Sequence, residues 1–451
     1  MASTWCGVVI ATTEAQEIPI CLLPNGLIDL MINRFENLKM NTRNLLMLVL
    51  FFSATVATAQ RIQTENLRKH IYYLADDDLK GRAPGTGGEK KAANYVAKHF
   101  REYGIEPKGS KGYFQTFNYR QSLNPHDTAS QKGKKRVGKN IVGFLNNDAA
   151  TTVVIGAHYD HLGDDGRGSS LDKDPEGKVH NGADDNASGT AGVIELARYF
   201  AGNGVKEKVN FLFMCFSAEE AGLIGSKYFT NNPTVELSSV NFMFNMDMVG
   251  RLVDSTNKLL VFGTGTSDVF EDKLKATNRN RFQLVLDSSG VGPSDQTSFY
   301  LKKIPVLHFF TGQHSDYHKP SDDADKINYP GETKVLEYMI DLIENLTVLP
   351  KLKFYETRSK DSGAKTSFKV TLGVMPDYGF QGKGLRIDAV NKDKPAEKAG
   401  LQAGDVVVKI GDAAIENIYD YMKVLSKHAK GETVDVEALR SNKPVVVKLT
   451  F

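Results

Sequence analysis

The sequence is poor in the residues that cross-link small exported folds. Its 451 residues hold three cysteines, Cys6, Cys21 and Cys215. Three scattered cysteines make neither a disulfide framework nor a thiolate zinc site. Any metal must therefore be held mainly by histidine and carboxylate. Charge of one sign is also lacking: 56 Lys and Arg face 54 Asp and Glu, a formal net charge of +2. Such a balance gives no general electrostatic ground for a nucleic acid or an anionic membrane as partner. The sequence shows no internal repeat and no low-complexity tract. The apolar run Leu45–Phe52 (LLMLVLFF) falls well short of the ~20 residues that cross a bilayer comfortably.

What is present is ordinary globular material. Hydrophobic residues make up 41% and charged residues 24%, enough to bury a core and to exclude wholesale disorder. At roughly 150 residues per domain, the length suggests two or three domains.

The segment from Met40 reads as a secretory signal. Arg43 supplies the positive flank, Leu45–Phe52 the apolar centre, and Ala57-Thr58-Ala59 a small-x-small cleavage pattern before Gln60. The alternative is an uncleaved anchor, which the flanks fit less well. Residues 1–39 then read as an upstream mis-start and residues 40–59 as the signal peptide. The mature chain would keep only Cys215 and no internal disulfide. With no cysteine at the cut, a lipid-anchored form is not expected. Export to the periplasm or the medium follows, with no stable membrane insertion after cleavage.

Beyond Gln60, helical spacing marks Thr64–Leu74 and Glu89–Tyr103, the second placing Ala92, Tyr95, Val96 and Phe100 on one face. From Lys139 to Leu349 the pattern alternates. Thr152–Ala157, Val209–Phe216, Val240–Met246, Leu259–Phe262 and Ile304–Phe310 read as buried strands. Thr190–Phe200 and Leu223–Thr230 read as helices between them. Alternation of this kind argues for an α/β fold, a mostly parallel central sheet covered on both faces as a three-layer αβα sandwich. Residues 60–349 form this first domain, the polar stretch 350–366 a linker, and residues 367–451 a small β-rich domain.

Acids and histidines fall just after the strand-like runs. His158 and Asp160 follow VVIGA, Asp184 and Asp185 sit in HNGADDNASG, and Glu219 and Glu220 follow FLFMCFSA. Asp247 follows FMFNM, and His318 closes VLHFFTGQHSDYH. In an open α/β sheet, sites form beyond the carboxyl ends of the strands, so these positions can converge. Two histidines and three carboxylates can hold two zinc ions if one carboxylate bridges them, with a place left for water. Two Zn²⁺, three carboxylates and a hydroxide sum to zero charge, which a partly dry crevice tolerates. On an extended segment Asp160 faces the same way as His158 and can orient its ring. Of the adjacent Glu219 and Glu220, one can bind metal and the other can take a proton from the metal-activated water.

HYDHLG, HNGADDNASGTAG, FSAEEAGLIGS, NMDMVGR and SDYHKPSDDADKI, in this order, closely resemble the M28 family of zinc aminopeptidases over roughly Asn66 to Leu349. The resemblance implies two Zn²⁺ per chain. His158 and Asp247 would hold one zinc, Glu220 and His318 the other, and Asp184 would bridge. Glu219 would be the general base and Asp160 the residue that orients His158. It also implies a non-proline cis peptide at Asp184-Asp185. Tyr317 either polarises the substrate carbonyl or only packs. Asp322 and Asp325 support the last loop or its histidine. Gln296 stands where a histidine is common, and is expected to line the pocket. His161 and His314 are not expected as ligands, since the matched set already fills two sites. His308 reads as a core histidine and His180 as a solvated one.

The activity so implied is removal of amino-terminal residues from peptides with a free amino terminus. A carboxypeptidase or dipeptidase using the same site stays open, because ligands do not report which chain end is held. A metal-free scaffold is a small remainder, and a single-zinc cyclase would not need this full ligand set.

From Ser367, the segments LGVMPDY, GLRIDAV, KPAEKAGLQAGDVVVKIGD and VVVKLTF resemble a PDZ domain. The resemblance implies a helix at Ile418–Lys427 beside a peptide groove, and a carboxylate loop at Gly379–Leu385. It equally allows a packing module that restricts the crevice.

Overall fold

A computed structural model describes residues 61–121, 134–357 (apart from 165, 167 and 168) and 370–451 (apart from 377–379, 381, 391–393 and 417). The expected signal peptide, the upstream stretch and most of the expected linker lie outside the described residues, as do parts of the carboxylate loop.

The first domain is built on a sheet of nine described strands. In chain order these are β1 (Glu106–Pro107), β2 (Phe114–Gln121), β3 (Lys134–Leu145), β4 (Thr152–His158) and β5 (Asn210–Phe216). β6 (Val240–Met246), β7 (Lys258–Phe262), β8 (Gln283–Asp287) and β9 (Val306–Phe310) follow. The spatial order is β1-β3-β5-β4-β6-β9-β7-β8, with β2 paired to β3. The centre, β5-β4-β6-β9, is parallel, and β7 and β8 are parallel to each other. β3 runs antiparallel to β5, and β9 antiparallel to β7. The sheet is thus mixed, parallel where the chemistry-bearing runs lie. β4, β5 and β6 are buried along their whole length, which explains why they read as continuous apolar runs and not as alternations.

Helices α1 (Thr64–Leu74), α2 (Gly87–Glu102), α3 (Gly189–Gly202), α4 (Ile224–Asn231), α5 (Phe270–Asn278), α6 (Gln296–Tyr300) and α7 (Tyr329–Thr347) accompany the sheet. Two large apolar cores and a small one of Met248, Leu260, Phe262 and Phe310 fill the domain among the described residues. Of the two large ones, the larger includes Phe100, Ile155, Phe213, Phe244 and Leu336; the other includes Val154, Leu212, Met243 and Phe299. α2 starts on Thr86, whose hydroxyl accepts from the Glu89 amide, and presents Ala92, Val96 and Phe100 to the core. The first part of the expected linker does not behave as one. Leu352 is buried in the larger core and its amide donates to Asn241 Oδ1 at 2.7 Å, while Tyr355 N–H donates to Thr266 O at 2.9 Å.

The C-terminal unit has its own core, drawn wholly from residues 370–451, with Leu372, Ile387, Leu401, Val407, Val436 and Leu449 at its centre. Its six described strands are β10 (Val374–Pro376), β11 (Leu385–Val390), β12 (Val406–Ile410), β13 (Ala413–Ala414), β14 (Thr433–Arg440) and β15 (Lys443–Thr450). They pair antiparallel, with short helices α8 (Pro395–Lys398) and α9 (Ile418–Leu425). Among the described residues, no helix is long and apolar enough to cross a membrane.

Candidate metal centre and active site

Four neighbouring strands deliver the site. His158 ends β4, Glu219 and Glu220 lie in the turn after β5, Asp247 follows β6, and His318 lies in the loop after β9. These ends are adjacent because β5-β4-β6-β9 is the parallel centre of the sheet. The turns that aim the side chains are tight. Ala218, Met248 and His318 all adopt the left-handed backbone, with φ of 57°, 55° and 54°. Such conformations cost about 1–3 kcal/mol each in non-glycine residues and gather at functional sites.

The carboxylate between the two histidines belongs to Asp185. Its Oδ1 lies 3.3 Å from His158 Nε2 and its Oδ2 lies 3.2 Å from His318 Nε2. His158 Nε2 is also 3.3 Å from Asp247 Oδ1, and His318 Nε2 is 3.3 Å from Glu220 Oε2. Asp184, expected to bridge, points elsewhere. Its Oδ1 accepts from the Gly250 amide at 2.7 Å and its Oδ2 lies 3.1 Å from His314 Nε2. The physical reason is local. Asp184 and Asp185 sit in an irregular turn before α3, where neighbouring side chains diverge, and the backbone of Asp185 leaves helical geometry at φ −105°, ψ 91°. The cis peptide is Asp185-Asn186, not Asp184-Asp185.

The donor set fits zinc. With bonds of about 2.0–2.1 Å, tetrahedral donors stand roughly 3.3 Å apart, which is the separation of all four histidine–carboxylate pairs. An imidazole Nε2–H can donate to only one oxygen, yet each of these nitrogens faces two. His158, Asp185 and Asp247 form one group able to hold an ion; His161, Asp185 and Glu220 form another, and His318 faces the same two carboxylates. His161 was not expected here. It is buried, and its Nδ1 lies 2.8 Å from Glu220 Oε1.

Charge is balanced accordingly. Burial works to lower the basicity of His158 and His318, but the facing carboxylates outweigh it and hold both well above the usual histidine range. Burial would raise Asp185, but His161, His158 and His318 keep it well below the usual carboxylate range. Glu219 is pushed well up, first by burial and then by Asp295, Asp247 and Glu220, against the pull of His158. Burial would raise Glu220 too, but His318 and His161 draw it down to about 2, so the two neighbours are driven in opposite directions.

Asp160 reaches His158 through its backbone. His158 Nδ1 is 3.2 Å from Asp160 O and 3.8 Å from its carboxylate, which instead accepts from the Glu219 amide at 3.1 Å. Burial lifts the Asp160 carboxyl to about 8. Asp322 is buried and its Oδ2 accepts from the amides of Asp184 and Asp185, so it supports the loop. Asp325 is exposed. The Tyr317 ring stacks on His318 with centroids 3.9 Å apart. Met248, Phe262, Pro293, His308, Phe310 and Gln313 complete the cavity wall beside the ligand groups. Gln296 is buried and absent from that wall, its Oε1 accepting from Asn245 Nδ2. His308 is a core histidine that burial lowers to about 4. His180, expected in solvent, is buried, with Nε2 2.7 Å from Ser170 Oγ.

Residues 140–343 match peptidase family M28, and residues 360–450 match the PDZ domain. The first matched part, a little under half of the chain, is thus similar to peptidase family M28. The chain is 26% identical over 284 residues to leupeptin-inactivating enzyme 1 of Streptomyces exfoliatus, covering 60% of this chain and 54% of that one. It is 28% identical over 205 residues to aminopeptidase YwaD of Bacillus subtilis, covering 43% and 41%. The chain thus spans about half, or less, of the length of these relatives. Among solved structures, the zinc aminopeptidase BSAP of Bacillus subtilis superposes with a TM-score of 0.51 at 18% identity, over 66% of this chain and 98% of that one. A glutaminyl cyclase of Porphyromonas gingivalis superposes with a TM-score of 0.52 at 16% identity, over 64% and 99%. The M28 fold is therefore shared with a hydrolase and a cyclase alike, and fold alone does not choose between them.

Proposed function

We propose that this M28 protein is an exported aminopeptidase with two zinc ions. The observation that carries the reading is the set of four histidine–carboxylate separations of 3.2–3.3 Å around Asp185. His158 and Asp247 would hold one ion, His318 and Glu220 the other, and Asp185 would join them. Bound zinc supplies Lewis acidity, polarising the scissile carbonyl and making water a nucleophile near neutral pH.

The chain's own residues do the rest. Glu219 takes a proton from the attacking water and returns it to the leaving amine. Its displacement toward higher pH suits both halves of that exchange. Asp160 fixes the Glu219 amide and, through its carbonyl, the His158 ring. Tyr317, stacked on His318 and lining the cavity, would donate its hydroxyl to the developing oxyanion. The apolar wall of Met248, Phe262 and Phe310 takes the side chain of the first residue. The PDZ domain binds a peptide or protein partner. Export rests on the sequence of residues 40–59.

The test is Glu219→Gln. Zinc content should stay at the wild-type level while hydrolysis of free-amine peptides falls about 10²- to 10⁴-fold. Unchanged hydrolysis would remove Glu219 from the mechanism.

A further inference from the structure

The largest fully buried side chain outside the ligand set is Arg82, at 0% exposure. Among the described residues it makes no ion pair within 4 Å. Its partners are all backbone carbonyls. Nε donates to Tyr159 O at 2.8 Å, one terminal nitrogen to Leu74 O and Asn181 O at 2.5 Å each, and the other to Gly182 O at 2.9 Å. Tyr159 sits between His158 and Asp160, and Asn181 and Gly182 lead into Asp185. One guanidinium therefore joins the two loops that carry the first zinc's histidine and the shared carboxylate.

The segment that delivers Arg82 is shaped for this. Lys80, Gly81 and Arg82 are three successive left-handed residues, with φ of 46°, 63° and 48°. Gly81 is pressed against the same loops: a Cβ there would lie 2.4 Å from His180 O and 2.7 Å from Gly163 O. Asp77 Oδ1 accepts from Asn181 Nδ2 at 2.7 Å. Asp77, Lys80, Gly81 and Arg82 themselves lie upstream of the matched residues 140–343.

We propose that Arg82 is a positioning residue of the metal centre, holding the His158 and Asp185 loops in register and supplying fixed positive charge beneath the carboxylates. Asp185, Asp160, Asp322 and Glu220 are the charges that act on it. A lysine would keep the charge and lose the fork, since three N–H donors on one nitrogen cannot reach four separated carbonyls. The inference rests on the two-zinc reading.

The experiment uses the full protein with Arg82→Lys and Arg82→Met. Folding is checked by circular dichroism, and zinc per chain is measured after equilibration against a graded chelator. Both variants should release zinc at chelator concentrations about 10- to 100-fold lower than wild type. Folded variants that hold zinc like wild type at every concentration overturn the proposal while leaving the zinc reading intact. A wild-type protein that takes up no zinc defeats that reading and this inference with it. Should neither variant fold, amide exchange over residues 74–88 of the wild type decides. Slower exchange on adding zinc is expected, and no change overturns the coupling.

Discussion

At the scale of single residues, Asp184 and Asp185 are neighbours with different duties. Asp185 faces two histidines, whereas Asp184 accepts from the Gly250 amide and meets His314. Asp185→Asn should therefore shed zinc and lose hydrolysis. Asp184→Asn should keep zinc and lose about 1–3 kcal/mol of stability through the weakened buried contacts. Zinc content and thermal unfolding of the two variants, side by side, check this, and the reverse pattern would restore Asp184 as the bridge. The pair shows where sequence stops. That the doublet lies among the candidate ligands was legible from its place before a helix. Which of the two faces the histidines was not, because an irregular turn decides it. Arg82 was invisible for another reason: its partners are backbone carbonyls up to 100 residues away, and no side-chain pattern encodes those. His161 was discounted because two ligand sets already looked complete.

Elements were more legible than their joints. The buried runs at β4, β5, β6 and β9 and the faces of α1–α4 were readable, because continuous or 3.6-residue apolar spacing survives in the sequence. The β2–β3 hairpin was not, since Lys134, Lys135, Arg136 and Lys139 give its second strand a charged start. The joints fix function, and glycines show it. Gly225 lies in the first turn of α4, just after Glu219 and Glu220. Helix propensity alone would favour alanine there by about 1 kcal/mol. A Cβ would, however, lie 2.2 Å from Ser217 O and 2.4 Å from Asn140 Oδ1. Overpacking of this kind costs about 1–3 kcal/mol, so Gly225→Ala should destabilise and reduce hydrolysis. Gly202→Ala, at the open end of α3 with nothing within 4 Å, should be neutral or stabilising. Thermal unfolding separates the two. A stabilised Gly225→Ala would refute the close packing under the Glu219 turn.

For the whole molecule, two units with separate cores imply two responses. On the proposed reading, zinc would bind the first unit and should stabilise it by roughly 4 kcal/mol when free zinc is ~1,000-fold above its Kd. The PDZ core, which contributes no ligand, should not respond. Calorimetry with and without chelator should show one transition moving and the other fixed. The PDZ unit has its own electrostatic tie: Arg440 Nε and a terminal nitrogen donate to Asp405 Oδ1 and Oδ2 at 2.8 and 2.7 Å. Burial works to raise the Asp405 carboxyl, but Arg440 and the Gln402 amide outweigh it and hold it below the usual range. A lowered carboxylate stabilises above its unfolded pKa of about 4 and loses that contribution as pH falls through the folded value. Arg440 is about a third exposed, so solvent screens the pair and Arg440→Ala should destabilise the unit only modestly at pH 7. The difference from wild type should shrink below about pH 4. A gap independent of pH would mean that the arginine acts by packing.

The most direct measurement is hydrolysis of matched peptides, with free or blocked amino termini, by the purified protein, with chelator and with restored zinc. Cleavage of free-amine peptides only, abolished by chelator and recovered with two zinc ions per chain, is the expected result. Cleavage of blocked peptides from a free carboxyl end, or activity indifferent to chelator, would contradict the proposed aminopeptidase site around Asp185.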